Sequence, residues 1–194
     1  MPTNKVKFGL SNVYYSVTTA TLTTGGAYTH SYATPVAIKG AVNLSLNQAS
    51  EQAVFRADNI DYYVSYSNNG YEGDLEVALI PDSFLLDVLG YQKDSNNVVY
   101  ETNNAQVKEF ALLFQFEGDN NARRHVLYNC KASRPDVASQ TTDTTITPVT
   151  ETINITATGR LGDGVVKAST KLDDTSSQQY TGWFSSVYTP VTTN

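Results

Sequence analysis

The chain has one cysteine, Cys130, so no internal disulfide can form and the fold must rest on packing. It has two histidines, His30 and His125, and neither has a metal-ligand partner at a recognisable spacing. No stretch approaches the ~20 apolar residues of a membrane span. The N-terminus, MPTNKVKFGL, lacks the apolar run of a signal peptide. The expected setting is therefore a cytosol, with no membrane and no classical export. Charge is sparse at 16%, and 13 Lys+Arg against 19 Asp+Glu leave a net −6. Such a surface repels phosphate and argues against a nucleic-acid groove. The one basic cluster, Arg123-Arg124-His125, reads as a solvated strand edge.

Catalytic signatures are missing too. There is no GxSxG elbow, no GxxxxGKS/T loop and no GxGxxG opening a helix. Asp82 and Asp87 read as a helix cap and a solvated face, and Asp173-Asp174 as a turn. Gly162-Asp163-Gly164 lacks the further ligands of a calcium loop. No catalytic, cofactor or metal residue is assigned, and the expectation is a protein that is not an enzyme.

What is abundant is strand material. Hydrophobic content is 40%, with 13 tyrosines and heavy use of threonine and serine. β-branched and aromatic side chains suit a pleated surface. At 194 residues the chain is one domain able to bury roughly 70% of its unfolded surface. Ile60, Tyr62, Val64 and Tyr66 alternate with Asp61, Tyr63 and Ser65, and Leu75, Val77 and Leu79 alternate with Asp74, Glu76 and Ala78. That period predicts two half-buried strands, with Asn68-Asn69-Gly70 as the tight turn between them. After Pro81, Phe84, Leu85, Val88 and Leu89 recur at helical spacing up to Gly90, predicting one short helix.

Further strands are expected at Val13–Val17, at Ile38–Asn47 and across Val149–Ala157. Gln48–Ala57 reads as a loop or a short helix, and Gly25-Gly26 through Thr34 as a loop or flexible arm. Tyr91–Ala105 reads as a surface loop with a small strand near Val98–Tyr100, and Pro135–Thr147 as a mobile connection. Phe110, Leu112, Phe114 and Phe116 lead through Gly118–Asn121 into a return strand from Arg123 to Cys130, the expected central core. Cys130 shares parity with Val126 and Tyr128 and is expected to be buried. At the C-terminus Tyr180, Trp183, Phe184, Val187 and Tyr188 sit among small polar residues; so many large side chains must dock on this chain or on a neighbour.

Four stretches together carry a family resemblance: NKVKFGLSNVYYS (Asn4–Ser16), EFALLFQFEGDNNARRHVLYNCKASRP (Glu109–Pro135), TETINITATGR (Thr150–Arg160) and WFSSVYTP (Trp183–Pro190). With the Asp58–Gly90 run they span nearly the whole chain, and by order and spacing it resembles the major tail (tail tube) protein of long-tailed, non-contractile phages of Gram-positive bacteria. The resemblance implies a two-sheet β-sandwich or partly closed barrel with one flanking helix, extended loops and terminal arms. A single domain over 1–194 carries arms of about 1–10 and 171–194. It implies hexameric rings stacked into a hollow tube through which double-stranded DNA passes without specific binding. The implied partners are further copies of the chain and tape-measure, tail-tip and terminator proteins. The implied location is the virion tail, after synthesis in the host bacterial cytoplasm. No cofactor is implied.

Charge is compatible with a conduit. Six copies at −6 make a ring of about −36, whose field acts within about 8 Å at physiological salt. Asp58, Asp61, Asp74 and Glu76 are the candidate lumen carboxylates, beside small polar strand residues such as Asn43, Ser45, Asn47 and Ser65. Trp183, Phe184, Val187 and Tyr188 are candidate inter-subunit contacts; Gln48–Ala57 and the arm through Lys7 are candidate bridges. The alternative is a non-catalytic β-sandwich that binds carbohydrate or a receptor.

Overall fold

The computed structural model describes residues 4–141, 148–171 and 174–191. Asp173, part of the Ser/Thr-rich connection (142–147) and the outermost ends of both arms (1–3, 192–194) lie outside the described residues. The chain is mainly β, with a large antiparallel sheet and two short helices. In chain order the strands are β1 Lys7–Leu22, β2 Tyr28–Tyr32, β3 Val36–Ala37, β4 Ala41–Gln48, β5 Gln52–Ala57, β6 Ile60–Tyr66 and β7 Tyr71–Val77. Helix α1, Asp82–Asp87, is followed by β8 Gln92–Lys93, β9 Val99–Tyr100, β10 Phe110–Gly118, β11 Arg123–Ala132, β12 Glu151–Thr158 and β13 Lys167–Ser169. Helix α2, Gln178–Thr181, comes last.

The large sheet runs β2-β1-β10-β11-β12-β7-β4, with β13 added on β11 and β3 on β1. Its centre is the apolar hairpin β10–β11, as its composition demands. Alternation sends Phe110, Leu112 and Phe114 to one side and Ala111 and Leu113 to the other, and both sides are covered. The first side is the main core, shared with Tyr15, Leu75, Ile153 and Ile155 and closed by Phe84, Val88 and Leu89 of the α1 region. Tyr15 donates its hydroxyl to Asp87 at 2.8 Å, tying β1 to the helix. Asp87 is thus a structural acceptor rather than a solvated face. The α1 N-cap is Pro81 and no side chain caps it, so Asp82 only lends charge to the first turn. Edge strand β4 comes back beside β1, and Ile38 donates its amide to the Val13 carbonyl at 2.8 Å.

Four expectations change. First, Asn68-Asn69-Gly70 is not the hairpin turn. β6 pairs with β5, and the turn is Asp58-Asn59, both at positive φ (53° and 59°), which is how a two-residue turn matches strand twist. Gly70 serves packing instead: a Cβ there would lie 1.9 Å from the Ala157 carbonyl oxygen. Second, Gln48–Ala57 is neither loop nor helix, since most of it is β5. Third, the Gly25–Thr34 stretch is a hairpin: β2 pairs with the second half of β1 from Thr18↔Tyr32 to Leu22↔Tyr28. β1 reaches 16 residues because bulges bend it, with Asn12 at φ 51°, so that one strand serves two neighbours in turn. Fourth, a register shift in β10–β11 pairs Phe110 with Cys130 but Leu112 with Leu127. The extra residue reverses parity, so Cys130 is buried in the main core while Val126 and Tyr128 face the opposite layer.

Candidate functional site

Three surfaces and one cavity stand out. The first surface is the outer face of β12, β7 and β4. Inward, Leu75, Val77, Ile153, Ile155 and Ala157 are buried. Outward, the register lines up three polar rows: Asn43–Glu76–Thr152, Ser45–Asp74–Asn154 and Asn47–Glu72–Thr156. Asn154 donates to Asp74, and Thr150 donates to Glu76 at 2.6 Å. Lys131, opposite Thr156 on the neighbouring strand, is paired with Glu109 at 3.3 Å. Asp74 and Glu76 therefore stand together on a wet, carboxylate-bearing face. Glu72 belongs with them and is absent from the sequence-derived set; its parity with Asp74 is the signal that identifies it.

Asp58 and Asp61 lie elsewhere. They sit at the tip of the β5–β6 ribbon, a two-stranded sheet outside the large one. The four acidic candidates are thus two separate pairs. Asp61 is held by Arg56 at 2.7 Å, an exposed pair worth at most about 1 kcal/mol. The ribbon continues β4 and β7 outward through Ala49 and Gly70, whose backbones bond at 3.0 Å. It meets no core, so its alternation is not that of a half-buried strand. Both of its faces are exposed: Val54, Phe55, Ile60, Tyr62, Tyr63, Val64 and Tyr66 all stand in solvent, Tyr62 at 68% and Tyr66 at 69%.

The third surface is the layer opposite the main core, where the C-terminal segment docks. Trp183 and Val187 are buried against Ala111, Leu113, Val126 and Tyr128, with Phe184 and Tyr188 packed beside them. Trp183 donates its indole N–H to the His125 carbonyl at 3.3 Å, and Phe184 stacks on Tyr14 with centroids 5.0 Å apart. All four candidate inter-subunit side chains are therefore engaged within their own chain. Ser177 caps α2 by accepting from the Tyr180 amide at 3.2 Å. Arg124 ties the segment down: it stacks under Tyr180, bonds its carbonyl, and donates to Gln115 at 2.9 Å.

The basic cluster is accordingly no solvated edge. Its residues alternate, Arg124 toward the C-terminal segment and Arg123 and His125 toward a cavity of about 530 Å³. Leu44, Leu46, Phe114, Phe116 and Leu127 give that cavity apolar walls. His125 stacks on Phe114, 5.1 Å between centroids. Burial, then the charges of Arg123, Lys167 and Lys7, hold its imidazole neutral and push its pKa down to about 4.

Other titratable groups read as structural. Arg160, buried, is chelated by Asp163, bonds the Tyr32 hydroxyl at 3.2 Å and lies over Tyr128, so Gly162-Asp163-Gly164 is a turn around an ion pair. That contact holds the Asp163 carboxyl below the usual carboxylate range. Burial pushes the Cys130 thiol up to about 12, which makes it an inert hydrophobe. His30 shares Nε2 with the Leu161 carbonyl at 2.8 Å. Among the described residues no three His, Cys, Asp or Glu are gathered as a metal site requires. No family model matches this chain, and no curated protein matches it.

Proposed function

We propose that this chain is a structural subunit of a hollow tail tube, as its resemblance to non-contractile phage tail tube proteins implies. The observation that carries the reading is the presence, on one chain, of a largely polar, acidic sheet face and a protruding ribbon of exposed aromatics. A ribbon with seven large side chains exposed at 41–69% is costly to leave uncovered, since burying apolar surface is worth about 25 cal/mol per Å². Contiguous exposed apolar surface of this kind marks an interface. The acidic face has the opposite character. Glu72, Asp74 and Glu76 with Asn, Ser and Thr neighbours offer DNA phosphates repulsion, which suits a channel wall.

The finer architecture belongs to the same reading. The curl that brings β4 back beside β1 fits a partly closed barrel, and the free edges of β4 and β2 are available for pairing between copies. Hexameric rings, stacking, passage of double-stranded DNA, contact with tape-measure, tail-tip and terminator proteins, and a place in the virion follow from the resemblance. The role is assembly rather than catalysis.

Negative-stain electron microscopy of the purified protein across a concentration series tests this. Six-fold rings or hollow tubes are the expected result, alone or after tail-tip proteins are added. A chain that stays monomeric in both conditions and binds glycans would instead be a β-sandwich binding module.

A further inference from the structure

Four cations converge on the mouth of the apolar cavity in a chain of net charge −6. They are Lys5, Lys7, Arg123 and Lys167. Among the described residues none of the four forms an ion pair with a carboxylate. Lys7 lies over Phe116 at 5.3 Å, Lys167 over Tyr71 at 4.5 Å, and Arg123 donates to the Thr170 carbonyl at 3.1 Å. The one carboxylate in the lining, Glu117, accepts from Ser11 and Gln115 instead. Like charges held together repel, and Glu117 offsets only one of the four; burial first, then Arg123, Lys167 and Lys7, depresses the basicity of His125. The site therefore combines a net positive mouth with an apolar interior.

The β5–β6 ribbon has the complementary character. Its tip carries Asp58, and Asp61 paired with Arg56, next to Ile60 and Tyr62, all exposed. We propose that the cavity is a socket for the ribbon tip of a second copy of this chain. The copy cannot be the same molecule. Tyr71, in the cavity wall, pairs with Gln48 where the ribbon leaves the body. Ten residues separate Gln48 from Asp58, so at about 3.3 Å per residue the extended tip stands roughly 30 Å away. The two surfaces differ, so the contact is head-to-tail and each copy both gives a tip and receives one. A cavity of this size lies in the range that encloses a small molecule, enough for one or two large side chains. The socket rests on the assembly reading only in taking a further copy as occupant.

Cross-linking tests it on the full chain. Asn59→Cys is prepared in one batch and Lys7→Cys in another; buried Cys130 takes no part. Mixed under mild oxidation, they should give a disulfide-linked dimer about tenfold above either batch alone. The excess should also hold over a control mixture of Asn59→Cys with Thr152→Cys on the acidic face. Adding Asp58→Lys and Asp61→Lys to the Asn59→Cys chain should cut the product about tenfold, the equivalent of 1.4 kcal/mol. Equal yields at Lys7 and Thr152, or no product, would overturn the socket. So would tight binding of decanoate, an anionic amphiphile, by chains that give no cross-link. Rings or tubes built without the Lys7 cross-link would sink the socket and leave the assembly reading standing. Cross-links in a chain that never forms rings or tubes would do the reverse.

Discussion

The guanidinium of Arg124 lies 3.9 Å from the centroid of the Tyr180 ring, and this contact joins the middle of the sheet to the C-terminal segment. Both side chains are half-buried, a setting in which a cation–π contact is stronger than at an open surface. The same side chain bonds Gln115 on β10, so three parts of the chain share one cation. The C-terminal segment is thereby part of the fold that covers the outer side of β10 and β11.

Replacing that cation should loosen the cover before it unfolds the sheet. Arg124→Ala is expected to cost about 2 kcal/mol, the range of a partly buried cation–π contact. Trp183 is the chain's one tryptophan and is 3% exposed. Its emission should move to longer wavelength in the variant while far-ultraviolet dichroism holds. An unchanged Trp183 spectrum would mean that packing alone retains the segment. Deleting 178–194 should go further and lower the melting temperature, because it uncovers Leu113, Val126 and Tyr128.

The ribbon side chains should matter to assembly and little to folding. Phe55→Ser, Tyr62→Ser and Tyr63→Ser together touch only exposed positions. Each surface change should alter stability by no more than about 0.5 kcal/mol. Sedimentation velocity should then show loss of higher assemblies at unchanged monomer stability. If assembly survived, some other surface would be the interface.

Reversing charge on the acidic face should convert a wall that repels DNA into one that holds it. Glu72→Lys, Asp74→Lys and Glu76→Lys are outward-facing, so the fold should persist. Assembled variant tubes should retain double-stranded DNA in a salt-dependent way, each added lysine steepening the log–log slope by about 0.9. Wild-type tubes should retain none. Equal retention by both would place these carboxylates outside the channel.

His125 sets a pH dependence. Its pKa is 6.5 in the unfolded chain and about 4 in the fold. Between those values the unfolded chain binds more protons, so stability falls as pH falls from 6.5 toward 4 and is unaffected by this group above 6.5. The slope approaches about 1.4 kcal/mol per pH unit at most. Urea midpoints measured across that window should fall less steeply for His125→Gln than for wild type. Parallel curves would show that the imidazole is solvated in the fold.

Sequence alone determined the elements whose side chains contradict no alternative. The β10–β11 hairpin is apolar enough that it had to be central, α1 had Phe84 to bury with Val88 and Leu89 just beyond its end, and β12 alternated cleanly. Asp74 and Glu76 were legible as one outward face because Leu75 and Val77 fix the parity between them. Tertiary structure decided what period two cannot express. Alternation in Ile60–Tyr66 is the same whether a strand lines its own core or projects into solvent, so only the pairing with β5 reveals the ribbon. Asn68-Asn69-Gly70 and Asp58-Asn59 both tolerate positive φ, and long-range contact of Gly70 with β12 decides which of them is the turn. One extra residue in β11 put buried Cys130 in the main core, opposite the layer of Val126 and Tyr128, a change local sequence does not encode. The cationic cavity draws Lys7, Arg123 and Lys167 from distant parts of the chain, and chain folding alone brings those charges within reach of His125.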